Sequence, residues 1–200
     1  MLALHPNPSP TISLYSNEET ALATSKQEAQ WVLRAQCSDR EALELLLRNL
    51  QPSLHRYLSR LVGGSAADDV LQEVLIIVCR KLKWLETPEF FRAWAYRVAS
   101  RAAFRHLKKE KRWSDRLQDE VVLDEMPAPE VAAPLDILPE LLNSDALTPA
   151  SRAVLALHFQ EELSLPEVAA ILEIPLGTVK SRLAYGLAAL RKKLHLTRSV

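Results

Sequence analysis

The chain has 200 residues, and its 25 Lys and Arg balance 25 Asp and Glu to a formal net charge of zero. Only four glycines, with an excess of Leu, Ala, Glu and Arg, exclude a turn-rich β-protein and favour helices throughout, as one ordinary domain or two small ones. No apolar run reaches the ~20 residues of a membrane span, the N-terminus lacks a basic head followed by an apolar core, and Cys37 and Cys79 have no metal-ligand spacing, so both read as buried, reduced thiols of a cytoplasmic protein.

Residues 1–27 hold Pro6, Pro8 and Pro10 among Ser, Thr and Asn and read as a flexible tail. Helical patterning begins near Glu28. Ser38-Asp39-Arg40-Glu41 has capping-box spacing, with Ser38 and Glu41 expected to satisfy the free amides of a helix start. That helix carries Leu43, Leu46, Leu47 and Leu50 inward and meets Pro52, which is expected to kink or restart it. Leu54, Tyr57, Leu58 and Leu61 continue the stripe to Gly63-Gly64, a natural stop. Ser65 is the expected cap of a helix to about Lys83, with Asp68 and Asp69 in its first turn and Leu71, Val74, Leu75, Val78 and Leu82 as its buried stripe. After a loop around Glu86-Thr87-Pro88, a long helix over 89–112 turns Phe91, Trp94, Val98 and Leu107 inward. Arg92, Arg97, Arg101, Arg105, Lys108 and Lys109 form its cationic surface.

The zero net charge hides segregation. Residues 31–113 carry sixteen Lys and Arg against nine acids, whereas 114–147 carry one Arg against nine acids, together with Pro127, Pro129, Pro134 and Pro139. The acidic stretch reads as a linker, with a turn of helix around Leu138–Leu142. Residues 148–200 are basic again, seven against four. There Thr148-Pro149 opens a helix bearing Val154, Leu155, Leu157 and His158, and Ser164 with Glu167 makes a second capping box. The short helix behind that box, a turn at Glu173, and a helix opening Gly177-Thr178-Val179-Lys180-Ser181-Arg182 form a helix-turn-helix. Val168, Ile171, Leu172, Val179 and Leu183 are its core by spacing, and Gly177 is the expected point of close backbone approach. The last helix runs to about Leu194. The expected fold is all-α: two small helical domains, 28–113 and 148–196, joined by an acidic, Pro-containing linker at 114–147.

Two chemistries follow from the residues. Six like charges on one helix repel unless something anionic meets them, and interleaved Trp94, Tyr96, Phe104 and Trp113 supply stacking platforms, a combination suited to single-stranded nucleic acid. Phe91 and Trp94, however, read as core, since helical spacing puts them on the inward stripe. In the helix-turn-helix, Thr178 and Ser181 hydroxyls suit phosphates, and Lys180 or Arg182 suits guanine edges. Asp68, Asp69, Gln72 and Glu73 form a polar face that reads either as helix-dipole compensation or as a docking surface. His5, His55, His106, His158 and His195 have no nucleophile or carboxylate arrangement beside them, no phosphate-cradling glycine loop occurs, and neither an enzyme nor a metal or other cofactor is expected.

Together these motifs closely resemble a bacterial sigma factor of the extracytoplasmic-function group, over residues ~30–113 and ~146–195. Ala67-Asp68-Asp69-Val70-Leu71-Gln72-Glu73-Val74 is similar to the family segment that docks on the core RNA polymerase clamp, which implies Asp68, Asp69, Gln72 and Glu73 as docking residues. Phe91-Arg92-Ala93-Trp94-Ala95-Tyr96-Arg97-Val98-Ala99 resembles the segment that engages the −10 element. It implies Arg92, Tyr96, Arg97, Arg101, Arg105, Lys108 and Lys109 as contacts to promoter DNA, with the loop at about 84–90 capturing an extruded base. The helix-turn-helix is similar to the −35 reader, which implies Thr178, Lys180, Ser181, Arg182 and Tyr185, together with a contact to the polymerase flap. An anti-sigma partner is implied as well. The chain departs from the pattern at Arg101 and Arg105, where relatives commonly carry Asn and Asp, and at Glu173, where they often carry Gly. The linker acids Asp115, Asp119, Glu120, Asp124 and Glu125 are expected either to mimic RNA in the polymerase channels and shield the basic blocks in the free protein, or to serve as a plain tether. A stand-alone duplex-binding regulator is the first rival reading, and it leaves 68–73 and 92–112 unexplained; a degenerate relative that only sequesters another protein, supported by Arg101 and Arg105, is the second.

Overall fold

The computed structural model of the protein describes residues 26–114 and 141–198. No strand occurs among them. Helix α1 spans 26–36, α2 Arg40–Val62, α3 Gly64–Lys81 and α4 Phe91–Ser114, with 3-10 turns at Leu82–Trp84 and Pro88–Phe90 between α3 and α4. In the second domain α5 is Pro149–Leu155, continued by a π turn at Ala156–Gln160, and α6 and α7 are Leu165–Leu172 and Leu176–Arg198. The five linker acids and residues 1–25 lie outside the described residues, as does the start of the helical turn expected at Leu138–Leu142, although Leu142 itself is buried.

Helix α4 packs on both α2 and α3. The fit is made by small residues: Ala95, Ala99, Ala102 and Ala103 recur at helical spacing and are buried, letting the α4 backbone approach α2 and α3 closely. The Tyr57 and Tyr96 rings meet edge to face at 5.4 Å, and the Tyr57 hydroxyl pairs with Ser100 Oγ at 2.8 Å. Burial pushes both phenols above their usual ionisation range, with Glu161 adding to the shift at each.

Several local expectations are corrected. Asp39, not Ser38, caps α2 by accepting from the Ala42 amide at 3.0 Å; Ser38 is left in the left-handed region at φ 70°. Pro52 does not restart α2, which is one helix through to Val62; Pro52 and Arg48 are both exposed, so water can reach the carbonyl the ring leaves unpaired. Helix α3 starts at Gly64 with Gly63 as its cap, so Ser65 lies within the helix and Asp68 and Asp69 fall beyond its first turn. Cys37 and Cys79 are exposed rather than buried. Thr148 caps α5, and the Ser164–Glu167 capping box forms as expected.

The two domains touch. Helix α6 lies against α4, and α5 with its π turn lies against α2. Arg152 of α5 reaches the Arg60 carbonyl at 3.2 Å, and Arg56 of α2 reaches Glu161 at 3.2 Å.

Candidate nucleic-acid interface

Three exposed faces can be built from the residues upward. On α3, Ala67, Val70, Leu71, Val74 and Val78 turn inward. The 3.6-residue period therefore sends Asp68, Asp69, Gln72 and Glu73 outward, and all four are exposed. Asp68 meets His55 at 3.1 Å, and Glu73 meets Arg105 at 3.3 Å. Ile76, 45% exposed, continues the same face one turn on and sets an apolar contact beside the acids. It lies off the buried stripe, and that was the signal in the sequence that could have marked it.

On α4, most of the expected cations are already matched by carboxylates. Arg92 makes a fork to Glu28 of α1 at 2.6–2.9 Å, and the 5% exposed Glu28 side chain also accepts from Asn49 at 2.6 Å. Arg101 is bidentate to Glu173 at 2.6–3.0 Å, and Arg97 donates to the Ala170 carbonyl at 3.2 Å. The Arg101 hydrogen bonds hold the Glu173 carboxyl below the usual carboxylate range. Tyr96 is 2% exposed, and its hydroxyl donates to Glu161, so its ring faces the core and the domain boundary, not solvent. Lys108 and Lys109 are exposed near the end of the helix. The expected cationic row is thus divided: Arg92 ties α1 to α4, Arg97 and Arg101 face the second domain, Arg105 leans toward α3, and the lysines remain outward.

The turn before α4 is an aromatic ledge. Trp84 and Phe90 are 66% and 64% exposed, and the Lys83 ammonium sits 4.2 Å from the Trp84 ring centroid. With Leu85, Ala93 and Trp94 they line a cleft of about 840 Å³ whose far side is Glu167 and Ala170 of α6. Gln36, at the end of α1, fixes this turn by donating to the Leu82 and Leu85 carbonyls at 3.0 and 2.8 Å. Sequence spacing gave no sign of that clamp.

On α7, Thr178, Ser181, Arg182 and Tyr185 recur at helical spacing and line one cleft of about 470 Å³ against the start of α5; Lys180 is exposed outside it. Glu173 ends α6 in the left-handed conformation, φ 56° and ψ 43°, the geometry a glycine adopts without strain. Gly177 faces open space. The close approach is made instead by Gly186, where an added Cβ would meet Leu155 Cδ1 at 2.7 Å.

Among the described residues no helix is long and apolar enough to cross a membrane, and no cluster of His, Cys, Asp and Glu could hold a metal ion. The family model for Sigma-70 region 2 matches residues 46–113, and that for Sigma-70, region 4 matches residues 145–192. The chain is 36% identical over 150 residues to the ECF RNA polymerase sigma factor SigL of Mycobacterium tuberculosis, spanning 70% of this chain and 82% of that one. It is 28% identical over 186 residues to the RNA polymerase sigma-H factor of Pseudomonas aeruginosa, spanning 86% and 96%. In fold it is similar to the sigma factor RpoE of Bartonella quintana, solved in complex with the anti-sigma factor NepR, with a TM-score of 0.59 and 24% identity over 76% of this chain and 96% of that one. Sigma factors are initiation factors rather than a class of enzyme. With both regions matched in order and close relatives spanned nearly end to end, the chain belongs to the sigma-70 family, in its extracytoplasmic-function group, and directs RNA polymerase to initiate transcription at specific promoters.

Proposed function

We propose that the work of initiation is divided among the three faces. Residues 28–113 form the unit that docks on the polymerase clamp through Asp68, Asp69, Gln72 and Glu73 and holds the opened −10 strand on α4 and the Trp84–Phe90 turn. Residues 148–196 form the unit that reads the −35 duplex through Thr178, Lys180, Ser181, Arg182 and Tyr185 and meets the flap. Residues 114–147 connect them. An anti-sigma protein is the restraining partner, by analogy with the NepR complex of the Bartonella relative.

The observation that carries this reading is the separation of charge on adjacent helices: an acidic face with one exposed isoleucine on α3, and arginines beside an aromatic ledge on α4. Acid and apolar groups together suit a basic protein surface, whereas cations beside stacking platforms suit an unpaired strand. The chain contributes no covalent step. Extruding a base costs a few kcal/mol, and stacking at about 1–3 kcal/mol per base together with phosphate contacts offsets it. The test is transcription from a promoter library by purified core polymerase with and without the protein. Asp69→Lys with Glu73→Lys should lower polymerase association at least ten-fold while leaving the helical content unchanged. Full promoter-specific initiation by that double variant refutes the docking assignment.

A further inference from the structure

A second cluster of cations lies apart from the three faces, where the end of α2 and the start of α3 meet the chain around α5. Arg56 and Arg60 stand one helical turn apart on α2, and Arg152 of α5 joins them by donating to the Arg60 carbonyl at 3.2 Å. The three guanidiniums line one cleft of about 510 Å³, together with Gly63 and Gly64. Asp145 is the one acid among the described residues of that lining, and it forms no ion pair there. Arg56 is taken by Glu161 at 3.2 Å, and Arg152 donates to the carbonyls of Arg60, Ser144 and Leu147. Counting Glu161, cations still exceed acids by three to two.

Arg60 carries the imbalance. Its half-buried guanidinium makes no hydrogen bond or ion pair among the described residues. Burial and the like charge of Arg56 push its pKa below the ordinary arginine value. Other unmatched donors converge on the same cleft. Ser59 Oγ and Arg152 Nε are buried without hydrogen-bond partners, and both residues belong to the lining. Helix α3, 18 residues long, begins there at Gly64 with no side-chain cap, which leaves its first amides for another acceptor. A Cβ added at Gly63 or Gly64 would meet nothing within 4 Å, so both glycines border open space.

We propose that this cleft binds a small phosphorylated ligand through its phosphate group, with Arg60 as the principal contact, Arg56 and Arg152 flanking it, and the Ser59 hydroxyl donating. A guanidinium fork matches a phosphate and a carboxylate alike. The phosphate, however, offers three acceptor oxygens to donors that arrive from α2, from the start of α3 and from α5, where a carboxylate offers two. The volume lies within the ~300–1,000 Å³ range of small-ligand sites. No aromatic or large apolar side chain lines it among the described residues, so recognition rests on the phosphate and not on a stacked base or ring.

The probe is inorganic pyrophosphate, titrated at constant ionic strength into the full chain labelled with 15N-glycine. The chain has four glycines: Gly63 and Gly64 at the cleft, and Gly177 and Gly186 on α7 as internal controls. The Gly63 and Gly64 amide signals should move along one saturable curve that the α7 glycines do not follow. Arg60→Gln should raise the dissociation constant about ten-fold or more, the scale of a charge-assisted hydrogen bond. In buffer free of phosphate the same variant should melt at the same temperature as wild type or higher, because it removes an unpaired cation beside Arg56. Ser59→Ala should raise the dissociation constant about two- to ten-fold. Arg48→Gln makes the same charge change on an exposed part of α2 and should leave the constant unaltered.

Gly63 and Gly64 signals that stay still overturn the proposal. So do shifts that Arg48→Gln weakens as much as Arg60→Gln, or that α7 shares along the same curve, since those mark diffuse attraction to a charged surface. A lower melting temperature of R60Q without pyrophosphate means that an acid of the chain already holds the guanidinium, and the site is not free. If a single-stranded oligonucleotide moves Gly63 and Gly64 where pyrophosphate at equal phosphate concentration does not, the cleft is a nucleic-acid contact and the small-ligand assignment is wrong.

Discussion

Gly186 in α7 offers a test in which two known effects of opposite sign must be weighed. Replacing it with Ala adds helix propensity worth about 0.5–1 kcal/mol in a helix interior. The added Cβ, however, would lie 2.7 Å from Leu155 Cδ1 and 3.4 Å from Leu155 Cγ and Ser151 Cβ. Leu155 is fully buried and Ser151 nearly so, hence neither can swing into solvent. Overpacking of this kind costs about 1–3 kcal/mol, and a contact this short on a locked side chain belongs in the upper part of that range. The net expectation is a loss of about 1–2 kcal/mol, localised where α5 meets α7. Native-state hydrogen exchange reads it directly: protection of α5 and α7 amides should fall about 5- to 30-fold, with α2 and α4 little changed. Leu155→Val removes the clashing atom, so the double variant should recover about 1 kcal/mol relative to the sum of the single changes. Equal or greater protection in Gly186→Ala would mean that propensity outweighs the steric contact and that the α5–α7 packing argument is wrong.

Four further outcomes are expected. Glu28→Ala removes the 5% exposed carboxylate that holds Arg92 and Asn49; because Arg92 is 39% exposed, the cost falls between exposed and buried ion pairs, about 1–3 kcal/mol, read by thermal melting. Trp84→Ala should weaken capture of a single-stranded −10 oligonucleotide by the polymerase-bound protein by about 1–3 kcal/mol, with duplex −35 binding unchanged. Tyr57 and Tyr96 carry raised phenol ionisation, so folding stability they contribute is present below the unfolded value near 10 and is lost as pH rises through and above it. Alkaline titration by absorbance should show these two phenols ionising only as the chain unfolds. Lys180→Ala should lower −35 duplex affinity by about 1–3 kcal/mol and relax the base preference at one position, the mark of a guanine-edge contact.

The helices, their order and the helix-turn-helix were legible because each rests on local chemistry. Thr148-Pro149 and Ser164-Glu167 are caps whose partners lie within three residues. Errors arose where two local candidates competed: Asp39 won over Ser38 because its carboxylate reaches the Ala42 amide and is also held by Arg34 at 2.8 Å. Gly186 and not Gly177 is the packing glycine, and that depends on where α5 crosses α7, which no spacing within α7 reveals. The cationic face shows the limit most clearly. Repulsion among its charges called for an anion, and the carboxylates that meet Arg92 and Arg101 lie 64 and 72 residues away, on α1 and at the cap of α6. Arg101 and Glu173, read from the sequence as separate departures from the family pattern, turn out to be each other's partner.

The Gln36 clamp bears on where the first domain can be cut. The matched Sigma-70 region 2 segment begins at residue 46, inside α2 and downstream of Asp39, Gln36 and Glu28. A fragment trimmed to that boundary would lose the cap of α2, the carboxylate under Arg92 and the amide that pins the Leu82–Leu85 backbone. The segment that kinship marks out is therefore shorter than the piece of chain needed to hold the Trp84 turn in place.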